Sequence, residues 1–465
     1  MNDFVSQSSR RSMVGLVGVL VIAISLVEIN WKQPGIDYLH FWAVPQSMQF
    51  EQTYDLPEES CYTQKGRVSL LRWLEGQASS AGEGESRVDS AFVSLIVKNQ
   101  NLYKEGVAPT GTPLLYASLG AIQTGRFSWD YRIFQFVSAL FLVCGMVLLG
   151  TTGGAKWYVA AVGTFVAAVL YLPIVIDAGV ANTNRLQLGM VTIGLACCTR
   201  FRAVGCFLAG ALVLGFAVVF KPNTILVPFF VAVLLLREQG FRQALLFSLG
   251  CVVGGAAGVL GATVFFNGFP CWSQWAQYLR TAEGLYPLEA GNYSWTTVFP
   301  VSPLVGAAVG IALVFCVCGA ICYPRMRLGQ LLQQPKRERF DLQISTARHI
   351  MLAGSLGLLV PLLSAPLAWG HYYSLALPTI FLTGLTVFRN NSRFDRVVSF
   401  VWLVAVLVVS AKPFVVLGIA SPKVIALSLN LGIVALFVVA SLQLLYWPMS
   451  GVKSGVKSGV NVGEG

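Results

Sequence analysis

The chain has 465 residues, 55% hydrophobic and 11% charged, with a formal net charge of +11. Soluble domains carry about 25% charged residues, so the composition excludes the roughly three soluble domains that length alone would suggest and points to one polytopic membrane bundle. The basic residues sit mainly at the ends of apolar runs, which reads as membrane topology and contact with anionic lipid headgroups rather than nucleic-acid binding.

Arg10 and Arg11 precede an apolar run from Met13 to Val27. No small-residue cleavage site follows, only Glu28-Ile29-Asn30-Trp31, so a retained first helix with a cytoplasmic N-terminus is expected. A span needs about 20 apolar residues. The runs at 12–29, 132–150, 156–177, 185–199, 203–220, 223–237, 243–266, 301–322, 350–369, 372–388, 397–416 and 424–446 give about twelve transmembrane helices by that measure. The short fourth and sixth runs, and tight junctions at Lys221-Pro222 and His371, leave the number open by two.

Charge orders these spans. Lys156, Arg200, Arg202, Arg237, Arg242, the cluster Arg325, Arg327, Lys336, Arg337, Arg339 and Arg348, and then Arg389, Arg393 and Arg396 fall on the even-numbered connections, which are therefore expected to be cytoplasmic. The expected fold is an all-α polytopic membrane protein, one membrane-embedded domain over 1–446 with both termini in the cytoplasm. It has a long first extracytoplasmic loop (30–131), a second (267–300), a basic cytoplasmic loop (323–349) and a flexible tail (447–465) built on a Gly-Val-Lys-Ser repeat. The first loop carries Gly/Ser-rich stretches near Ser79-Ser80-Ala81-Gly82 and an amphipathic region from Val88 to Tyr103. The second is aromatic, with Phe269, Trp272, Trp275, Tyr278, Tyr286, Tyr293, Trp295 and Phe299. Interfacial anchoring accounts for most such rings; stacking on sugar faces is the sharper alternative. Eight of the ten cysteines lie in apolar runs, where Cys acts as a small hydrophobe. Cys61 and Cys271 fall in loops expected on the same side, and the sequence leaves their pairing open.

Asp37 opens the first loop, in Gly35-Ile36-Asp37-Tyr38-Leu39-His40-Phe41-Trp42. It reads either as a helix cap or as a base, since a carboxylate against aromatic surface can have a raised pKa. His371, in Ala368-Trp369-Gly370-His371-Tyr372-Tyr373, is either structural or a catalytic group at a helix end. Lys221 and Arg185 flank helix ends on the extracytoplasmic side. Each either snorkels or binds phosphate, and Asp177 could instead pair with Arg185. Tyr38, Trp42, Asn184, Gln187, Asn292 and Tyr372 are the candidates for sugar or acceptor contact, and Asn182 adds a further polar group. No P-loop, dinucleotide glycine turn, His-Glu-x-x-His or Gly-x-Ser-x-Gly occurs in the sequence.

In their order along the chain these residues resemble the membrane-embedded C-type glycosyltransferases, most closely glycosyltransferase family 87. The resemblance lies in Asp37-Tyr38-Leu39-His40-Phe41-Trp42-Ala43 followed by Tyr54-Asp55, in Thr110-Gly111-Thr112-Pro113-Leu114-Leu115-Tyr116, in Ala209-Gly210 to Gly215-Phe216, in Phe220-Lys221-Pro222-Asn223 with Leu236-Arg237-Glu238 beyond, and in His371-Tyr372. It covers about residues 12–390. Asn182-Thr183-Asn184-Arg185-Leu186-Gln187 departs from the family's Gly-Gln-x-Asn box, and Lys221-Pro222 lacks its usual spacing.

The resemblance implies inverting transfer of a hexose or pentose from a polyprenyl-phosphate donor, a lipid-linked co-substrate, to a lipid or glycan acceptor. No other cofactor, metal or nucleic acid is implied. The reaction would occur at the extracytoplasmic face of the plasma (inner) membrane. Asp37 would take the acceptor's proton, and Lys221, Arg185 or protonated His371 would meet the charge of the departing phosphate. A lipid or sugar transporter, and a non-catalytic subunit of an envelope assembly, are the rival classes.

Overall fold

The computed structural model describes residues 15, 17–27, 35–50, 61–79, 90–98, 111–200, 203–282, 292–299, 301–323, 336–387, 393–419 and 421–446. Tyr54-Asp55, the Gly/Ser-rich stretch from Ser80, residues 324–335 of the basic 323–349 loop and the 447–465 tail lie outside the described residues. In chain order the helices are α1 (Val17–Val27), α2 (Ile36–Phe50), α3 (Gln64–Ser79), α4 (Ser90–Lys98), α5 (Pro113–Gly120), α6 (Phe127–Thr152), α7 (Trp157–Leu170), α8 (Leu172–Val180), α9 (Asn184–Cys198), α10 (Val204–Phe220), α11 (Leu226–Glu238), α12 (Phe241–Phe265), α13 (Pro270–Ala282), α14 (Trp295–Val298), α15 (Pro303–Cys322), α16 (Lys336–Ser364), α17 (Leu377–Val387), α18 (Arg393–Ser410), α19 (Lys412–Val416) and α20 (Pro422–Tyr446). No named strand occurs among the described residues; one isolated antiparallel bridge joins Asn292 to Trp369.

Among the described residues, five helices are long and apolar enough to cross a membrane: α6, α12, and the stretches Leu304–Cys322, Thr346–Ser364 and Pro422–Leu445. The α7–α8 pair makes a sixth if counted as one span, although it bends by 70°. Among the described residues, then, five or six helices have the length and apolarity of a full span, and the expected twelve are not shown. The reason is local. Lys221 leaves the helical region ahead of Pro222, because proline disfavours helix in the residue before it. Tyr171 leaves it two residues ahead of Pro173, whose missing N–H cannot continue the α7 ladder and is tolerated in the first turn of a new helix. A hydropathy window runs through such breaks without registering them. The apolar runs at 185–199, 223–237 and 372–388 become α9, α11 and α17, of 15, 13 and 11 residues.

Close helix approach holds the bundle together. A side chain on Gly215 of α10 would meet the Cys251 backbone of α12 closer than 3.0 Å, and one on Gly254 of α12 would meet Leu212 as closely. Small residues at such crossings bring backbones into contact where lipid supplies no hydrophobic drive. At one end, Arg348 of α16 donates to the Gly153 carbonyl beyond α6, joining two connections that charge assigned to one side. At the opposite end, α2, α3, α4 and α5 pack on one another and against α6, α8, α10 and α12 as a cap, and α2 contributes to the site.

Asp130 fastens this cap. Its carboxylate accepts from Thr124 N–H (2.7 Å), Thr124 Oγ1 (2.7 Å), Gly125 N–H (3.0 Å) and Trp42 Nε1 (3.0 Å). Removing a buried acceptor strands its donors at about 1–3 kcal/mol each. Asp130→Ala is expected to lower stability by about 3 kcal/mol or more, read as a lower melting temperature in detergent.

Candidate active site

Four breaks in the helical framework meet at the capped end: the start of α2, the α8–α9 turn, the α10–α11 break, and a 3-10 segment over Gly370–Ala376. Helix α8 closes on Ala181 in the left-handed region (φ 56°, ψ 46°), which non-glycine residues rarely adopt and which concentrates at functional sites. That turn delivers Asn182, Thr183 and Asn184 to the site. Gly35 seats α2 against the same turn: a β-carbon there would lie within 3.0 Å of the Val180 carbonyl group and the Ala181 nitrogen. Asp37, in the first turn of α2, thereby reaches Asn182. Gly35→Ala is expected to displace Asp37 from Asn182. Misplacement on the ångström scale costs on the order of 10²-fold in rate, so activity should fall far more than melting temperature, both measured on one purified sample.

The α10–α11 break is pinned on several sides. Lys221 is extended (φ −155°, ψ 105°). Its carbonyl accepts from Gln187 Nε2 (2.9 Å) and Thr224 Oγ1 (3.1 Å), while Thr112 Oγ1 donates to the Phe220 carbonyl (2.8 Å). Gln187 also donates to Asn223 Oδ1 (2.6 Å). The lysine side chain is therefore projected from a fixed backbone.

At the centre is the Asn182 amide. Its Nδ2 donates to Asp37 Oδ2 (2.7 Å), and its Oδ1 accepts from Lys221 Nζ (2.9 Å) and the Thr183 N–H (2.8 Å). A carboxylate on one side and an ammonium on the other fix the orientation of the amide. Lys221 Nζ also donates to Asn184 Oδ1 and sits 4.6 Å from the Tyr372 ring centroid, a cation–π contact. Asn184 Nδ2 donates to the His371 carbonyl (3.1 Å), tying in the 3-10 segment. The ammonium thus rests on two amide oxygens and an aromatic face, with no carboxylate partner within 4.0 Å among the described residues. Asp37 Oδ1 has no hydrogen-bond partner among the described residues.

Burial raises the Asp37 carboxyl above the usual carboxylate range, against the lowering effects of the Asn182 hydrogen bond and the Lys221 charge. Burial brings Lys221 down to about 8, opposed by Asp177 and Asp37. His371 is held well below its ordinary value by burial and then by Lys221, so it is a neutral ring.

His40, on the face of α2 that carries Asp37, is brought down to about 3 by burial and the Lys221 charge. The Tyr116 hydroxyl accepts from Gly111 N–H (3.2 Å) and lies 2.9 Å from His40 Nδ1. A neutral His40 then accepts the hydroxyl proton at Nδ1, leaving Nε2–H as a donor. His40 and Tyr116 were not among the sequence candidates. Both lie in segments that carry the family resemblance, and His40 also stands a helical turn after Asp37, but nothing in the sequence singled out either side chain.

The remaining candidates divide. Asn184, Lys221, Tyr372 and the backbone of His371 join the Asp37 cluster, and Gln187 supports it from behind. Arg185 takes the structural alternative: its Nε donates to Asp177 Oδ2 (3.0 Å) and its Nη2 to Gln135 Oε1 (2.7 Å), both buried. Tyr38 and Trp42, read as sugar-stacking rings, are buried at 1% and 0% exposure. Tyr38 packs on Phe127, Tyr131 and Phe134, and Trp42 on Trp73, Phe92 and Phe127; they support the cap and offer no face to a sugar. Asn292 donates to Thr297 Oγ1 and the Pro366 carbonyl and accepts from the Ser294 and Ala368 N–H groups. Its amide is thus spent on the chain that precedes the 3-10 segment.

Buried polar atoms around the cluster lack partners: Thr183 Oγ1, Gln187 Oε1 and His371 Nε2. Such atoms are costly unless water or a ligand meets them. Just beyond the Lys221 break, a crevice of about 300 Å³ is lined by Leu226, Ile311, Val314, Phe315 and Val360. The site therefore combines a buried carboxylate with an ammonium that has no carboxylate partner within 4.0 Å among the described residues. No known family, curated protein or solved structure matches the chain, so this geometry is the basis for any functional reading.

Proposed function

We propose that the chain is a membrane-embedded glycosyltransferase of the C-type architecture, taking its sugar from a polyprenyl-phosphate donor at the extracytoplasmic side of the plasma membrane. The observation that carries the reading is the Asp37–Asn182–Lys221 relay. It holds a base and a cation on two ends of one amide, so that they serve opposite ends of a reacting sugar.

The acceptor hydroxyl loses its proton to Asp37 Oδ1 as its oxygen forms the bond to the anomeric carbon. The bond from that carbon to the phosphate oxygen breaks on the opposite face, with inversion, the geometry inverting glycosidases also use. The departing phosphate gains charge, which Lys221 Nζ meets. The apolar crevice at Leu226, on the helix that follows the Lys221 break, has a lining that suits a lipid tail. His40 and Tyr372 border the sugar position.

A panel of polyprenyl-phosphate sugars, supplied to purified protein with lipid and glycan acceptors and read by mass spectrometry, tests the reading. Transfer from at least one donor, lost in Asp37→Asn, is expected. Transfer that Asp37→Asn leaves unchanged removes the mechanism.

A further inference from the structure

Cys61 and Cys271 lie far apart in sequence, ahead of α3 and at the start of α13, yet the segments that carry them pack together. Tyr62 faces Phe266 with ring centroids 6.4 Å apart, and the Arg67 guanidinium lies 5.1 Å from the Tyr278 ring centroid. Cys61 directly precedes Tyr62, and Cys271 lies between Phe266 and Tyr278 in sequence, so each cysteine belongs to a segment that makes one of these contacts. Each is buried, at 1% and 4% exposure, and each carries a free thiol in the structure. The other face of the seam between these segments is the cap itself: Tyr62 donates to the Gly111 carbonyl (2.9 Å), and its ring lies tilted against that of Tyr116, the partner of His40, with centroids 6.3 Å apart.

We infer that Cys61 and Cys271 form a disulfide in the mature protein, clamping the α2–α5 cap to α13 beside the site. The inference rests on the reading above for one point only, that these loops face an oxidising compartment. Two thiols lose two protons and two electrons to the disulfide of an exchange oxidoreductase, which leaves as its dithiol, and one S–S bond forms.

Timing follows from burial. Burial pushes the Cys61 thiol far up, with the neighbouring Cys271 adding to the rise, and brings Cys271 up to about 11. Only the thiolate exchanges, so oxidation belongs to the stage at which the loops come together, before the seam closes. Once closed, the same burial shields the bond from reductant.

The test traps free thiols with maleimide in denatured membranes from a host with an oxidising extracytoplasmic compartment. The protein is then digested without reductant and analysed by mass spectrometry. Peptides of Cys61 and Cys271 joined to each other, and separated by reduction, are expected. Maleimide on both residues overturns the inference. Cys61→Ser, Cys271→Ser and the double variant should lower the melting temperature equally, because each removes the same bond; independent, additive losses overturn it. Thiol state is read without any transfer assay. Free thiols in a protein that transfers sugar would sink the clamp alone, and a clamp in a protein that transfers nothing would sink the glycosyltransferase reading alone.

Discussion

Asp37→Asn is expected to reduce sugar transfer by about 10²–10⁴-fold, the usual contribution of a general base, while the protein folds as before. Asparagine keeps the shape of the carboxylate and offers an oxygen to Asn182 Nδ2, which now donates to Asp37 Oδ2. It also removes a charge that burial disfavours, so the melting temperature should hold or rise slightly. The loss should fall on kcat with little change in donor affinity, because the proton moves only in the transition state. The pH profile adds an independent reading. Activity in the parent protein should climb as Asp37 gives up its proton, above the ordinary carboxylate range. It should decline again as Lys221 loses its charge near pH 8, since burial brings that ammonium down to about 8. The two limbs belong to the coupled pair. Asp37→Asn should lose the acid limb and keep the alkaline one.

Lys221→Met is the second large effect, with about 10²–10³-fold lower kcat expected, the cost of removing one donor aimed at a developing oxyanion. Donor binding should weaken as well, since phosphate contact begins in the ground state. Methionine fills similar apolar volume but leaves Asn182 Oδ1 and Asn184 Oδ1 without the ammonium they share. A modest fall in melting temperature is therefore expected beside the catalytic loss. Lys221→Arg separates charge from fit. A guanidinium stays protonated throughout the working range, so whatever activity survives should lack the alkaline limb. An alkaline limb unchanged in Lys221→Arg would show that another group sets it.

The reach of the sequence differed from residue to residue. Asp37 and Lys221 stood out because a charge that interrupts apolar chain is rare, and the structure places both on Asn182. Arg185 was equally conspicuous, but its neighbour Asp177 claims it. A sequence shows that a cation stands near a carboxylate without showing which one closes the contact. Tyr38 and Trp42 went the same way. They flank Asp37 in sequence, but successive residues on a helix point in different directions. The face of α2 that carries Asp37 also carries His40, while Tyr38 and Trp42 turn into the aromatic packing of the cap. Apolar runs located the helices well and their lengths poorly, because the breaks at Tyr171 and Lys221 come from the backbone geometry of single residues. Asn182, the hub of the site, had only its polarity to recommend it; its role comes from the left-handed Ala181 that turns it inward.

The Asn182 hub has a consequence for how the chain is made. Asp37, in the first turn of α2, leaves the ribosome early, but Asn182, Lys221 and Tyr372 follow in widely separated stretches. Gly35 cannot be seated before Val180 exists to receive it. Synthesis proceeds at about 5–20 residues per second, so the acid waits many seconds for its cation and longer for the aromatic turn. A chain interrupted anywhere before Tyr372 carries the acid without its complete surroundings, so the site cannot assemble until the chain through the 3-10 segment has been made.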